Sequence, residues 1–178
     1  MDVMLDLETF GVNSDSAIVI IGALKFTRDL PHVDIDKMDS FYRKIDPASC
    51  ESIGMRVCPA TVSWWEKQKP EVRNEVFSGD RIPIKQALSE FAEWYKGSSC
   101  VWSQGANFDI PILATAYNKC RMQEPWSYWS ARDTRTLYDV VGLSKKDLPS
   151  EGAHNALKDC WRQVYGVKEC VKRLRRGF

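Results

Sequence analysis

The order of the predicted elements along the chain favours an α/β fold, in which a mixed central sheet is flanked by helices. Two observations support this prediction: apolar, β-branched segments dominate the first half, and amphipathic helical segments alternate with short apolar ones in the second. With 178 residues the chain is long enough to bury a substantial core. We identify no repeat, low-complexity stretch or linker, so we expect a single domain over residues 1–178.

The candidate strands lie mostly in the first half. Val3–Glu8 and Ala17–Phe26 are apolar and β-branched, and the polar turn Gly11–Ser16 separates them. Phe41–Ile45 is a shorter third candidate, and Cys100–Ser103 has the composition of a short buried strand. Strands that come first and then alternate with helices indicate a mixed sheet.

The candidate helices are predicted from apolar residues that recur at spacings of three and four. One such segment covers Ile84–Tyr95 and stops at Gly97, and a second covers Asp109–Arg121 with Pro111 in its first turn. A third helix closes the chain. Its apolar stripe consists of Leu157, Trp161, Val164, Val167, Val171 and Leu174.

The composition excludes several classes of protein. The longest apolar run, Ala17–Leu24, is shorter than the roughly 18–20 residues of a membrane span. The N-terminus carries acids where a secretory signal would carry basic residues. Six cysteines without a C-x-x-C pair fit neither a zinc site nor a disulfide framework. We therefore expect a cytoplasmic protein with no membrane partner.

Three separated segments hold acids where a solvated surface is an awkward explanation. Asp6 and Glu8 lie two apart in a candidate strand, so they project from the same face. Asp109 stands among apolar neighbours at a helix start, and His154 and Asp159 open the last helix. Each segment alone has an ordinary explanation, namely an exposed strand face, a helix N-cap and a structural histidine. Only their combination favours a common site.

Clustered carboxylates repel one another unless cations neutralise them, and Mg²⁺ prefers carboxylate and water oxygens. Two such ions about 3.5–4 Å apart can activate a water and stabilise the leaving oxygen of a phosphodiester. A histidine beside them can take the water's proton. Because His154 and Asp159 are five residues apart, about 140° around a helix, we expect His154 to precede the helix proper.

The three segments resemble the tripartite motif of the DEDDh exonucleases, the group that contains the proofreading epsilon subunit of DNA polymerase III, ribonuclease T and exonuclease I. Asp6–Thr9 fits its D-x-E-T pattern, Phe108 and Asp109 fit its F-D pattern, and His154–Asp159 fits its H-x-A-x-x-D pattern. The whole chain is similar to small prophage exonucleases labelled exodeoxyribonuclease VIII-like, which share a domain with exoribonuclease-type proteins.

This resemblance implies a ribonuclease-H-like fold with about five strands. It also implies a 3′→5′ exonuclease that acts on single-stranded nucleic acid, with two Mg²⁺ ions that Mn²⁺ can replace. Asp6 would bridge both ions, Glu8 and Asp159 would hold the ion nearer the attacking water, and Asp109 would hold the other through water. His154 would be the general base. The prophage resemblance favours DNA as the substrate, and RNA stays open as the alternative because no short motif encodes contacts to the 2′ hydroxyl.

The substrate would meet residues beside the first motif. By resemblance, the backbone of Leu7 and the side chain of Thr9 would contact the terminal 3′ hydroxyl, and Phe10 would stack on the terminal base. Where many relatives carry Asn, this chain has Gly105, so the supporting polar contact is either absent or supplied by Gln104.

Three points stay open at the level of sequence. A catalytically silent nucleic-acid-binding module on the same fold is the alternative function. An endonuclease or integrase of the ribonuclease-H-like class also clusters acids, but the spacing of the third motif disfavours it. Some members of the family dimerise, which leaves a homodimer open.

Among the tryptophans, the adjacent Trp64 and Trp65 cannot both face one core, so we expect one of them to be exposed.

Overall fold

The computed structural model describes residues 1–32, 34–149 and 154–176, in which a five-stranded sheet is flanked by seven α-helices. The strands are β1 Asp2–Thr9, β2 Ile18–Phe26, β3 Ser40–Lys44, β4 Val101–Ser103 and β5 Ala131–Asp133. Their order in the sheet is β3-β2-β1-β4-β5. β1 and β3 each pair antiparallel with β2, whereas β4 pairs parallel with both β1 and β5. The predicted mixed α/β sheet is confirmed and is consistent with a ribonuclease-H-like fold.

The helices surround this sheet. They are α1 Pro47–Ser52, α2 Pro59–Glu66, α3 Pro70–Phe77, α4 Ile84–Tyr95, α5 Asp109–Lys119, α6 Thr134–Val141 and α7 Ala156–Arg176. The sequence analysis predicted α4, α5 and α7 but not the other four, nor strand β5. Within the described ranges, no helix combines the length and hydropathy that a membrane span requires.

The predicted apolar stripe of α7 is only partly correct. Val164 and Val167 are buried, but Leu174 is 44% exposed. Cys160 and Cys170 are fully buried instead. Every residue from Lys172 to Arg176 is exposed, so the buried stripe of α7 ends before its final turn.

The alternation of side chains along β1 positions the acids. Val3, Leu5 and Leu7 pack into the cluster that contains α4 and α5, whereas Met4 packs into the cluster that contains α7. Asp6 and Glu8 follow Met4 at two-residue steps and therefore face α7 at the carboxyl end of the strand.

Candidate active site

A cavity of about 220 Å³ lies where the end of β1 meets the starts of α5 and α7. Ten of the described residues line it: Asp6, Leu7, Glu8, Gln104, Phe108, Asp109, His154, Asp159, Arg162 and Gln163. The structure thus brings together all four predicted carboxylates and the predicted histidine, although these come from three distant parts of the chain.

Three of the carboxylates form a compact group. One oxygen from each of Asp6, Glu8 and Asp159 lies within 4.8 Å of the others. Glu8 is only 6% exposed, and its Oε1 has no hydrogen-bond partner among the described residues. Burying an acceptor without a partner is costly, and burying a charge without one is more so. The environment of Glu8 therefore suits a bound cation.

Asp109 approaches the same cavity from α5. Its Oδ1 accepts a hydrogen bond of 3.0 Å from the backbone N–H of Leu7, which joins the start of α5 to β1. The N-cap position of α5 belongs to Phe108, and Asp109 is the first helical residue. The alternative explanation of Asp109 as an N-cap is therefore wrong.

Burial disfavours ionisation of the four carboxyl groups, and repulsion from neighbouring carboxylates adds to this effect at Asp6 and Glu8. Burial, with the charges of Asp159 and Asp109, raises the pKa of Glu8 to about 8. Burial raises the pKa of Asp109 to about 7, and burial together with the three neighbouring carboxylates raises the pKa of Asp6 well above its usual range. Burial also raises the pKa of Asp159, against the opposing effect of Arg162.

His154 precedes α7, as the spacing predicted, and adopts a left-handed backbone conformation with φ of 64°. Its backbone N–H donates to Asp159 Oδ2 over 3.1 Å. Asn155 caps the helix, since its Oδ1 accepts a hydrogen bond of 3.1 Å from the backbone N–H of Lys158. The cap is thus supplied by Asn155, and the alternative role of His154 as the cap is not supported.

Two tryptophans from α2 hold the imidazole. The ring of His154 lies nearly perpendicular to Trp64 and Trp65, with centroids 5.2 and 5.6 Å away. Trp65 is 4% exposed and Trp64 is 43% exposed, which confirms the expectation that one of the two is exposed. The indole N–H of Trp65 donates to the carbonyl of Thr9 over 2.9 Å, which anchors α2 to the end of β1.

The predicted substrate-binding residues lie beside the acids but are already engaged. The N–H of Leu7 donates to Asp109, and the buried hydroxyl of Thr9 donates to the carbonyl of Gly11 over 2.7 Å. The ring of Phe10 is buried and stacks on Phe77 at 5.7 Å. Contact between substrate and Leu7, Thr9 or Phe10 stays a prediction, and stacking by Phe10 would require Phe77 to move.

Two residues of the cavity were missed by the sequence analysis. Gln163 Nε2 donates to Asp6 Oδ1 over 2.9 Å, and one guanidinium nitrogen of Arg162 lies 2.9 Å from Asp159 Oδ1. Both lie one turn after Asp159, at the spacings where helical side chains meet. That spacing is the signal that could have identified them.

Gln104, the alternative source of the polar contact that Asn would supply, also lines the cavity. Gly105 beside it has φ of 126° and donates its N–H to Asp133 over 2.9 Å. This left-handed conformation favours glycine, so the departure from the family pattern has a structural reason.

The residues of the cavity fit hard divalent ions. Three carboxylate oxygens lie within 4.8 Å of one another, one of the acids has an unsatisfied buried oxygen, and carboxylate oxygens are the ligands such ions prefer. The acidic donor set does not suit zinc in a structural site, since cysteine is missing from its lining.

Comparisons with known proteins agree with this geometry. A family model described as a 3′-5′ exoribonuclease Rv2179c-like domain matches residues 1–171. An exodeoxyribonuclease of Enterobacteria phage T4 is 23% identical in an alignment that covers 96% of this chain and 89% of the phage protein. These findings confirm the resemblance to exonucleases and support a nuclease that acts on nucleic acid. The chain belongs to the family of 3′-5′ exoribonuclease Rv2179c-like domains.

Proposed function

We propose that the whole chain forms one DEDDh-type domain that hydrolyses phosphodiester bonds from the 3′ end of single-stranded nucleic acid. The observation that carries this proposal is the convergence of Asp6, Glu8 and Asp159 within 4.8 Å, in a cavity shared with Asp109 and His154. Family membership supports the reaction class, and the cavity supports the residues.

The four carboxylates are the proposed metal ligands. Asp6 would be a ligand of both ions, Glu8 and Asp159 would complete the site of one, and Asp109 would hold the second. When bound, the two Mg²⁺ ions supply neutralising charge, a more acidic water and stabilisation of the leaving oxygen. Mn²⁺ is expected to substitute, since it takes the same oxygen ligands.

His154 is the proposed general base. His154 lines the cavity, and its ring packs against the two tryptophans, which limits the orientations that the imidazole can take. It takes a proton from the attacking water as the water oxygen bonds to phosphorus. The bond from phosphorus to the 3′ oxygen of the penultimate nucleotide then breaks, that oxygen takes up a proton, and a nucleoside 5′-monophosphate is released.

The small size of the cavity supports action at a chain end. A volume of about 220 Å³ walled by Leu7 and Phe108 suits one terminal nucleotide better than a continuous duplex. We propose that the terminal sugar lies beside Glu8 and Thr9. We favour DNA because the phage relative is an exodeoxyribonuclease, and the family description makes RNA the alternative.

The direct test is digestion of matched single-stranded DNA, duplex DNA and RNA, each labelled at the 5′ end. We expect a ladder that shortens from the 3′ end in Mg²⁺, no products in a chelator, and none with Asp6→Asn. Tight binding of these strands without hydrolysis in Mg²⁺ or Mn²⁺ would instead support the silent binding module. Cleavage of closed circular DNA would point to an endonuclease.

A further inference from the structure

Arg162 is the one arginine or lysine among the described residues that line the acidic cavity. One guanidinium nitrogen lies 2.9 Å from Asp159 Oδ1. The buried Nε of the same side chain has no hydrogen-bond partner in the described part of the chain. The guanidinium of Arg162 therefore has more N–H donors than its one ion pair uses, and the cavity is proposed to take a phosphodiester.

Both oxygens of Asp159 are occupied by the protein itself. Oδ1 faces Arg162, and Oδ2 accepts the backbone N–H of His154. A divalent cation at Asp159 Oδ1 would share that oxygen with the guanidinium or displace it, and a cation at Oδ2 would still be repelled by the guanidinium on the same carboxylate. Arg162 thus neutralises part of the acid cluster until an ion replaces it.

A displaced guanidinium stays at the cavity, since Arg162 lies only one helical turn from Asp159. A substrate phosphate that contacts ions held by Asp6, Glu8 and Asp159 must enter this same small space. The planar donors of arginine match two phosphate oxygens at once, whereas an ammonium acts as a point charge.

We propose that Arg162 is a phosphate-binding residue of the active site, which exchanges Asp159 for the scissile phosphate and then for the 5′-phosphate of the released nucleotide. This inference rests on the proposed function and assigns a new residue to it. It predicts that loss of the Arg162 side chain strengthens Mg²⁺ binding and weakens phosphate binding. An ion pair with a purely structural role would not produce these two opposite effects.

The first effect is on the metal. Arg162→Gln removes a cation that competes with Mg²⁺. It should therefore lower, by about threefold or more, the Mg²⁺ concentration that gives half of the full rise in melting temperature, measured without substrate. Arg162→Lys keeps the charge and should stay near wild type. Arg173→Gln is the matched control, because Arg173 also lies on α7 but pairs with Asp147 outside the cavity.

The second effect is on phosphate. In Mg²⁺, Arg162→Gln should weaken binding of thymidine 5′-monophosphate and adenosine 5′-monophosphate by about tenfold to a hundredfold, the usual range for a hydrogen bond to a charged group. Binding of the corresponding nucleosides should not change. Arg162→Lys should lose part of the monophosphate affinity, because it lacks the planar pair of donors.

The inference is overturned if Arg162→Gln binds the monophosphates like wild type, or if it needs more Mg²⁺ rather than less. Should the Gln variant fail to fold, the Lys variant decides, and monophosphate binding equal to wild type overturns the idea. If the wild type neither gains stability from Mg²⁺ nor cleaves any strand, the proposed function itself fails. If the wild type gains stability from Mg²⁺ and cleaves the strands, but the Arg162 variants bind Mg²⁺ and the monophosphates like wild type, the role of Arg162 is wrong and the proposed function stands.

Discussion

Gly22 of β2 lies directly against Ala156, the first residue of α7: a Cβ added at Gly22 would lie 2.5 Å from the Cβ of Ala156. Gly22 also pairs with Asp6 across the β1–β2 ladder. One turn further along α7, the thiol of Cys160 approaches the carbonyl of Gly22 at 3.5 Å. The missing side chain of Gly22 therefore sets how closely α7 approaches the sheet, and with it the separation of Asp159 from Asp6.

Gly22→Ala should push the start of α7 away from the sheet. Overpacking of this kind costs about 1–3 kcal/mol in the free energy of unfolding. Because Asp159 moves with the helix, the rise in melting temperature caused by Mg²⁺ should shrink, and exonuclease activity should fall more than the loss of stability explains. Melting curves with and without Mg²⁺, together with a digestion assay, measure both effects.

The matched control removes the methyl group on the other side of this contact. Gly22→Ala combined with Ala156→Gly should recover part of the Mg²⁺ response and activity, because it removes the 2.5 Å contact but leaves the new Cβ 3.0 Å from the carbonyl carbon of residue 156, and glycine in the first turn of the helix costs some stability. If the double variant behaves no better than Gly22→Ala alone, the Gly22–Ala156 contact does not position Asp159.

The metal-free protein should lose stability as the pH rises. The pKa values of Asp6 and Glu8 are raised in the folded state, that of Glu8 to about 8, and the pKa of Asp109 is raised to about 7. Groups with raised pKa values stabilise the fold below their unfolded values near about 4, and this contribution is lost as the pH rises through the folded values. In a chelator, the melting temperature should fall between about pH 5 and pH 8.

Mg²⁺ should reverse this trend, because the ionised carboxylates are its ligands. Asp6→Asn provides the control: it removes one charge from the repulsive group, so the metal-free variant should melt at a higher temperature than wild type near pH 8 and gain little from Mg²⁺. A wild type whose melting temperature is independent of both pH and Mg²⁺ would show that these acids do not form a metal site.

The sequence predicted the parts of the site that depend on local geometry. Asp6 and Glu8 share a face because successive side chains of a strand point to opposite faces. His154 was expected to precede α7 because residues five apart, such as His154 and Asp159, do not share a helix face. It could not predict which distant groups complete the site. Helical spacing could have identified Gln163 as a neighbour of Asp159, but no local pattern encodes its contact with Asp6 or the contact of Trp65 with Thr9, since these join residues far apart in the chain.

The missed helices have a different explanation. α1, α2 and α3 are short, at six to eight residues, so apolar periodicity is weak over their length. Each begins with a proline in its first turn, and this start signal was present in the sequence but was not used. The N-cap residue of α6 is Asp133, whose carboxylate accepts hydrogen bonds from the backbone N–H groups of Arg135 and Thr136.

The proposed position of the terminal sugar predicts a requirement for a free 3′ hydroxyl. A 3′-phosphate would add negative charge beside Glu8 and the other carboxylates, so a 3′-phosphorylated strand should be degraded at least about tenfold more slowly than its hydroxyl twin. Both strands, labelled at the 5′ end, are compared in Mg²⁺. Equal rates would rule out a terminal sugar beside these acids.

Ca²⁺ should bind at the carboxylates without supporting turnover. It takes more ligands than Mg²⁺, at about 2.3–2.6 Å, and its looser geometry misplaces the reacting water. The expected result is a rise in melting temperature in Ca²⁺ with no digestion, and competition by Ca²⁺ against Mg²⁺-supported cleavage. Brisk hydrolysis in Ca²⁺ alone would contradict the proposed two-metal mechanism.

Replacement of His154 separates proton transfer from metal binding. In the proposed mechanism His154 acts on the attacking water and holds no ion itself. His154→Ala should therefore keep the Mg²⁺-dependent rise in melting temperature and the binding of a single-stranded oligonucleotide, yet lose roughly 10²–10⁴-fold in rate, the usual contribution of positioned acid–base catalysis. Single-turnover digestion and melting curves of the same preparations measure these quantities side by side.

His154→Asn is the sharper of the two variants, because the backbone at this position has φ of 64°, a conformation that asparagine adopts more readily than alanine. Asparagine should therefore restore the loop geometry, including the backbone N–H that donates to Asp159, without restoring a base. We expect His154→Asn to be more stable than His154→Ala and equally slow. If asparagine rescues turnover, His154 contributes through the conformation of the loop and not through its imidazole. If either variant loses the Mg²⁺ response, the histidine supports the metal site itself, and its assignment as the general base is wrong.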